Sequence, residues 1–201
     1  MRRSEFDSQD PQVIRDILTA NKIGRVGIIT PDGYPRIVPV NYVAIDTHIF
    51  FHGAPEGEKF EAFARGEKVS FAVDIPYSTI PSYWFEERNA CPATIFYKSL
   101  FMRGTGRIIE APDEKAKALE ALMESEQPEG GYARISADDP IYRRRLSGVA
   151  AFEIIPNAID VKLKFGQNRS LEVRVRIVKL LRERAGPRDE ETAVEIEKTL
   201  G

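Results

Sequence analysis

With 201 residues, 42% of them hydrophobic, the chain is long enough for one sizeable core and ordinary in composition for a globular protein. Its 29 basic and 31 acidic side chains leave a formal charge of −2, which excludes DNA binding driven by bulk electrostatics. One cysteine, Cys91, excludes a disulfide framework and any multi-cysteine metal site, and no apolar run is long enough to span a bilayer. No apolar segment follows the basic start Met1-Arg2-Arg3-Ser4, so no signal peptide is read and the expected location is the cytoplasm.

Asp10-Pro11 opens a first helix, with Asp10 as N-cap and Pro11 at the tolerated first position. Val13, Ile14, Ile17 and Leu18 give it one apolar face. The period then changes. Strands are predicted over 24–30, 34–44 and 48–52, joined by turns at Pro31-Asp32-Gly33 and Asp46-Thr47. The loop 53–57 leads into a short helix over 58–65, with Phe60 and Phe63 inward, and 68–74 reads as a fourth strand. Residues 75–94 carry several prolines and the only tryptophan, Trp84, and read as a long loop or lid. A long strand or bent pair follows over 95–109, where Gly104 and Gly106 mark a bulge or a close backbone approach.

Pro112-Asp113-Glu114 starts another helix, with acids in the first turn and Ala116, Leu119, Leu122 and Met123 on one face. Residues 126–140 look like loop, and 149–155 with 158–163 supply the last strand or strands. A helix over 170–183 presents Val173, Ile177, Leu180 and Leu181; Pro187 breaks it, and 189–200 forms a final helix. About six mostly antiparallel strands with helices between and after them imply an α+β fold around a small barrel.

The strand Tyr34 to Val40 places Arg36 between apolar neighbours, and Pro39 forfeits a ladder hydrogen bond, so one side of the strand is expected to be free. Such an edge offers backbone groups to a planar ring; equally, Arg36 fits a surface position on an edge strand. His48 to Lys59 runs from a strand through a glycine-containing loop to a helix with a lysine in its first turn. Lys59 is there either for an anion or as a solvated side chain. His48 and His52 share one strand face about 13 Å apart, too far to bind one metal ion. Ser99 lies on a strand beside glycines and either meets a ligand or satisfies local backbone. The triplet Arg143-Arg144-Arg145 reads as a solvated face or an intramolecular ion-pair site.

Taken together, Arg36 to Val40, Phe51-His52-Gly53-Ala54 with Gly57-Glu58-Lys59, and Tyr97-Lys98-Ser99 with Gly104 resemble the pyridoxamine 5′-phosphate oxidase-like flavoproteins. The nitroimidazole-resistance branch is the most similar, on Phe51 to Lys59, Val69-Ser70-Phe71 and Tyr97 to Gly104. This resemblance implies a six-stranded, mostly antiparallel split β-barrel with peripheral helices over 1–165, an FMN-binding domain that forms a homodimer. A C-terminal helical extension over 166–201 would pack on the same domain or on the dimer partner. FMN is the implied cofactor, with FAD as the alternative. Arg36 and Lys59 would hold its phosphate, beside Gly57 and Glu58. The backbone of Ile37, Val38 and Pro39 would face the flavin ring. His52 and Gly53 would lie beside the ring or ribityl chain, with His52 the implied catalytic residue, and Lys98 and Ser99 would come from the partner-side strand.

There are departures from the family pattern. Gly57-Glu58-Lys59 stands where the vitamin-synthesising enzyme has Ser-Arg-Lys, and Glu58 would repel a phosphate if it pointed inward. That enzyme's C-terminal substrate motif is also absent, which argues against pyridoxamine phosphate oxidation itself. The tail, Lys164 to Arg169 followed by an amphipathic helix, resembles the ending of negative transcriptional regulators of the sporulation and protease type, and is read as a dimer-packing element. The implied function is an FMN-dependent oxidoreductase acting on a small molecule; the alternative is a flavin-binding sensor or regulator without turnover. Without a Rossmann fingerprint, NAD(P)H would bind only transiently in the flavin cleft. No nucleic acid, membrane or metal partner is expected.

Overall fold

The structure, a computed structural model, describes residues 3–200. A 3₁₀ turn at Ser4–Phe6 and a two-residue strand β1 (Asp7–Ser8), too short to leave a pattern in sequence, precede helix α1 (Pro11–Ala20). Helix α1 buries Ile14, Ile17 and Leu18, the face its spacing predicts. Strands β2 (Ile23–Ile29), β3 (Pro35–Ile45) and β4 (His48–Gly53) form the expected meander. The β2–β3 turn closes through the Gly33 amide donating to the Thr30 carbonyl at 2.8 Å, with Gly33 at φ +87°. Register follows the alternation: Val26 pairs with Val38 and Gly27 with Ile37, while Gly24, Val26 and Ile28 point inward. At Gly24 a Cβ would lie 2.1 Å from the Phe71 ring, so only glycine leaves room for the Phe71 edge on Tyr42.

Helix α2 (Glu58–Ala64) buries Ala62 and Phe63. Strand β5 (Lys68–Ile80) is longer than its sequence suggests. The stretch read as a lid begins as strand: Ile75, Ser78 and Ile80 are buried, and a 3₁₀ turn at Ser82–Trp84 buries Trp84. The partners that make this stretch ordered are distant in sequence. Ile80 and Trp84 pack in one cluster with Phe165, Ile177, Leu181 and Ile196, which no local pattern reveals. Strand β6 (Thr94–Ile109) follows, and its glycines serve close approach: a Cβ on Gly104 would lie 2.4 Å from the Ile155 carbonyl oxygen.

Helix α3 (Pro112–Glu126) starts at its predicted proline. Helix α4 (Pro140–Ser147) was not expected, although it has the same Asp-Pro start as α1; Asp139 Oδ1 accepts from the Ile141 amide at 2.8 Å. Its Arg143, Arg144 and Arg145 are all exposed, in line with the solvated reading. Strand β7 (Ala150–Lys164) is one continuous strand, and helices α5 (Leu171–Arg184) and α6 (Asp189–Glu197) end the fold. The strand order is β1-β7-β4-β3-β2-β5-β6, and β6 also pairs with β7, which closes the six strands β2 to β7 into a barrel with peripheral helices.

Two compact units make up the chain. One comprises Pro11–Val73 with Phe101–Ile159; the other comprises the segment ending at Asp10, Asp74–Leu100 and the segment from Asp160 onward. In the first, stacked Phe51 and Phe152, 5.0 Å apart, meet the edge of Phe63. In the second, Asp189 is buried and bonded by Arg184 Nε at 2.7 Å, Arg184 Nη2 at 2.6 Å, Ser78 Oγ at 2.5 Å and the Gly186 amide at 2.8 Å. That set of donors, Arg184 first, holds its carboxyl at about 2 against the cost of burial.

Candidate functional site

The site is built where β3 loses a neighbour. Strand β3 pairs with β4 only from Tyr42 to Ile45, whereas Pro35 to Asn41 pair with β2 on one side and with no strand of the described residues on the other. Arg36, Ile37, Val38 and Pro39 all lie on this free edge, as the proline suggests. Strand β4 ends beside it at His52 and Gly53, registered to Ala151 and Ala150. Gly57, at φ +88°, then turns the chain into α2.

Lys59 folds back from α2 over the end of β4. Its Nζ lies 5.1 Å from the centre of the Phe152 ring and 5.4 Å from that of Phe51. It occupies the space that Gly53 leaves by having no side chain: a Cβ there would sit 2.6 Å from Nζ. Lys59 is half-buried and has no carboxylate partner among the described residues. Burial without an anion holds its pKa below the usual lysine value. Glu58 points the other way, onto Arg36, with Oε2 3.0 Å from Nη2. The carboxylate that looked hostile to a phosphate is therefore held by the guanidinium, and Lys59 keeps an uncompensated charge.

His52 is exposed and makes no side-chain hydrogen bond among the described residues. His48, four residues nearer the strand start on the same face, is committed instead to a carboxylate: its Nδ1 lies 2.5 Å from Oε1 of Glu153, which is buried. Arg107 closes on the other oxygen of Glu153 and on Glu114. Sequence reasoning missed this network, whose only local sign is an acid, Glu153, inside the apolar run Val149 to Ile155.

Nine of the expected site residues, Arg36 to Pro39, His52, Gly53 and Gly57 to Lys59, thus belong to one compact unit. Lys98 and Ser99 belong to the other. There Lys98 is largely buried and paired with Glu195 of α6 at 2.9 Å, so its charge is already answered within the chain. Ser99 is half-buried in β6. No helix among the described residues is long and apolar enough to cross a membrane.

A closed six-stranded antiparallel barrel with a free strand edge and a glycine-lysine turn beside it is the split-barrel class of protein. Residues 10–163 match the sequence model of the family described as pyridoxamine 5′-phosphate oxidase, and the chain belongs to that family. A relative of known name is the protease synthase and sporulation protein PAI 2 of Bacillus subtilis (strain 168), 24% identical, with 97% of this chain and 95% of that protein covered. Two solved structures share the fold. One is a putative 5-nitroimidazole antibiotic resistance protein of Bacteroides thetaiotaomicron, with TM-score 0.61, 22% identity, and 78% of this chain and 85% of that one covered. The other is an FAD and heme binding protein of Mycobacterium smegmatis, with TM-score 0.67, 22% identity, and 84% and 78% covered.

Proposed function

We propose that this protein binds a flavin mononucleotide at the β3 edge and uses it as an oxidoreductase on a small molecule. The observation that carries the reading is Lys59, a half-buried cation without a carboxylate, seated in the space left by Gly53. A half-buried unpaired charge costs stability, and an anion brought to it removes that cost. A flavin phosphate is such an anion. Lys59 would hold it, Arg36 would share itself between Glu58 and the phosphate, and the free backbone of Ile37 to Pro39 would meet the ring's polar edge. His52, exposed and unengaged, would present its imidazole to a substrate and hold or give a proton there. When bound, the flavin supplies the redox chemistry, and the chain supplies position and electrostatics.

FMN suits the site because one phosphate answers one unpaired lysine; FAD is the competing cofactor, and mass spectrometry of the released flavin separates them. A homodimer belongs to this reading, because exposed apolar side chains such as Ile23, Ile45 and Phe101 call for a cover. Ser99 would then serve the partner's flavin while Lys98 stays with Glu195, NAD(P)H would visit the cleft transiently, and the cytoplasm would be the location. Titration with FMN should quench its fluorescence and raise the melting temperature of the protein. Absence of both would remove the reading, and light scattering of a flavin-loaded monomer would remove the dimer. A second reading, flavin binding without turnover for sensing or regulation, is favoured by the full-length match to a protein whose name refers to sporulation. A flavin that stays oxidised with every donor would select it.

A further inference from the structure

Over the solvent-facing side of β2, β3, β5 and β6 lies a cavity of about 620 Å³, entirely within the unit Pro11–Val73 and Phe101–Ile159. That volume is in the range of small-molecule sites. At Gly27 the Ser70 hydroxyl takes the space of the missing side chain, 2.4 Å from where a Cβ would fall, and so sets a polar group in the cavity floor. Ile29 and Ile37, 50% and 60% exposed, give the cavity an apolar wall. Lys68 and Arg103 also line the cavity, and both are exposed.

The charge balance of this lining is one-sided. Neither Lys68 nor Arg103 has a carboxylate partner among the described residues, and no acidic residue lines the cavity. Two like charges sharing a concave surface raise the local concentration of an anion. Neutral donors and acceptors complete the lining: Ser70, and Thr105 donating to Asn157 Oδ1 at 3.4 Å.

We infer that this cavity binds a small planar molecule with one carboxylate. Its ring would lie against Ile29 and Ile37, and its carboxylate would meet Arg103, whose planar fork donates to both oxygens, with Lys68 as a second charge. Pro35 and Ile37 also border a second, smaller cavity that holds Arg36 and Glu58, so the two cavities share a wall. Such an anion is therefore the substrate class for the redox reading above. The binding itself does not depend on that reading.

The test is calorimetric titration of the purified full-length protein with 4-nitrobenzoate and with its neutral isostere 4-nitrobenzamide. The benzoate should bind about tenfold or more tightly than the amide, the least that one charge-assisted contact provides. The double variant Lys68→Gln with Arg103→Gln, both at exposed positions that leave the fold intact, should abolish this preference, and Arg103→Lys should restore part of it. FMN affinity should be the same in the wild type and the double variant. Equal affinity for the two ligands, no binding of either at millimolar concentration, or a preference that survives in the double variant would overturn the inference. So would a parallel loss of FMN affinity, which would assign the two cations to the flavin phosphate. Discrimination for the benzoate in a protein that never binds FMN would leave the cavity standing and remove only the flavin reading.

Discussion

Replacing Lys59 by methionine separates the flavin site from a merely structural lysine. The side chain lies over the Phe51 and Phe152 rings with no carboxylate partner, and burial depresses its pKa. In the flavin-free protein the variant loses two cation–π contacts and also a desolvated charge. These oppose each other, so stability should change by no more than about 1 kcal/mol in either direction. Flavin binding should respond far more. A hydrogen bond to a charged group contributes about 1.5–3 kcal/mol, so FMN affinity should fall roughly ten- to hundredfold. Riboflavin, which lacks the phosphate, should bind both proteins alike, and Lys68→Ala should leave FMN affinity intact. Fluorescence-quenching titrations measure all of these.

The pH dependence of Lys59 has a definite sign. Its folded pKa lies below the ordinary 10.5, so above the folded value the unfolded chain binds more protons and stability from this group rises with pH. Bound phosphate favours the protonated lysine, so FMN affinity should decline as pH rises through that lowered pKa. Equal losses of FMN and riboflavin affinity in Lys59→Met, or an FMN affinity unmoved by it, would show that the phosphate is held elsewhere.

Other expectations follow from the same geometry. Gly53→Ala puts a methyl 2.6 Å from Lys59 Nζ, the end of a flexible chain, so the protein should fold normally while FMN affinity drops about tenfold; a far larger drop in melting temperature would contradict this. His52→Gln should retain FMN and lower turnover by about 10²–10⁴-fold if the imidazole serves as acid or base, whereas loss of flavin from the purified variant would make it a cofactor ligand instead. Asp189, fully buried and held at about 2 against an ordinary 3.8, contributes about 2 kcal/mol above pH 3.8 that is lost as pH falls through 2. Urea melts of Asp189→Asn should show a protein less stable at neutral pH and lacking that acid-side loss; an unchanged acid slope would mean that other carboxyls govern it.

Much of this protein is legible along the chain because its determinants are local. Period-two alternation in β2 and β4, the turn at Gly33, the proline starts of α1 and α3, and the free edge at Pro39 all depend on neighbours within a few residues. The glycine-lysine turn at Gly53 to Lys59 belongs to the same category. What the tertiary structure alone decided are pairings across a hundred residues: Ser78 with Asp189, Lys98 with Glu195, His48 with Glu153. The segment after Asp74 reads as a loop because its apolar side chains follow no local period, and it becomes strand because α5 and α6 give Ile80 and Trp84 a surface to bury against. Sequence placed Lys59 at the start of a helix, but whether its charge was answered depended on where Glu58 points. Burial and ion pairing are properties of neighbours in space, and the chain's order leaves them open until the barrel closes.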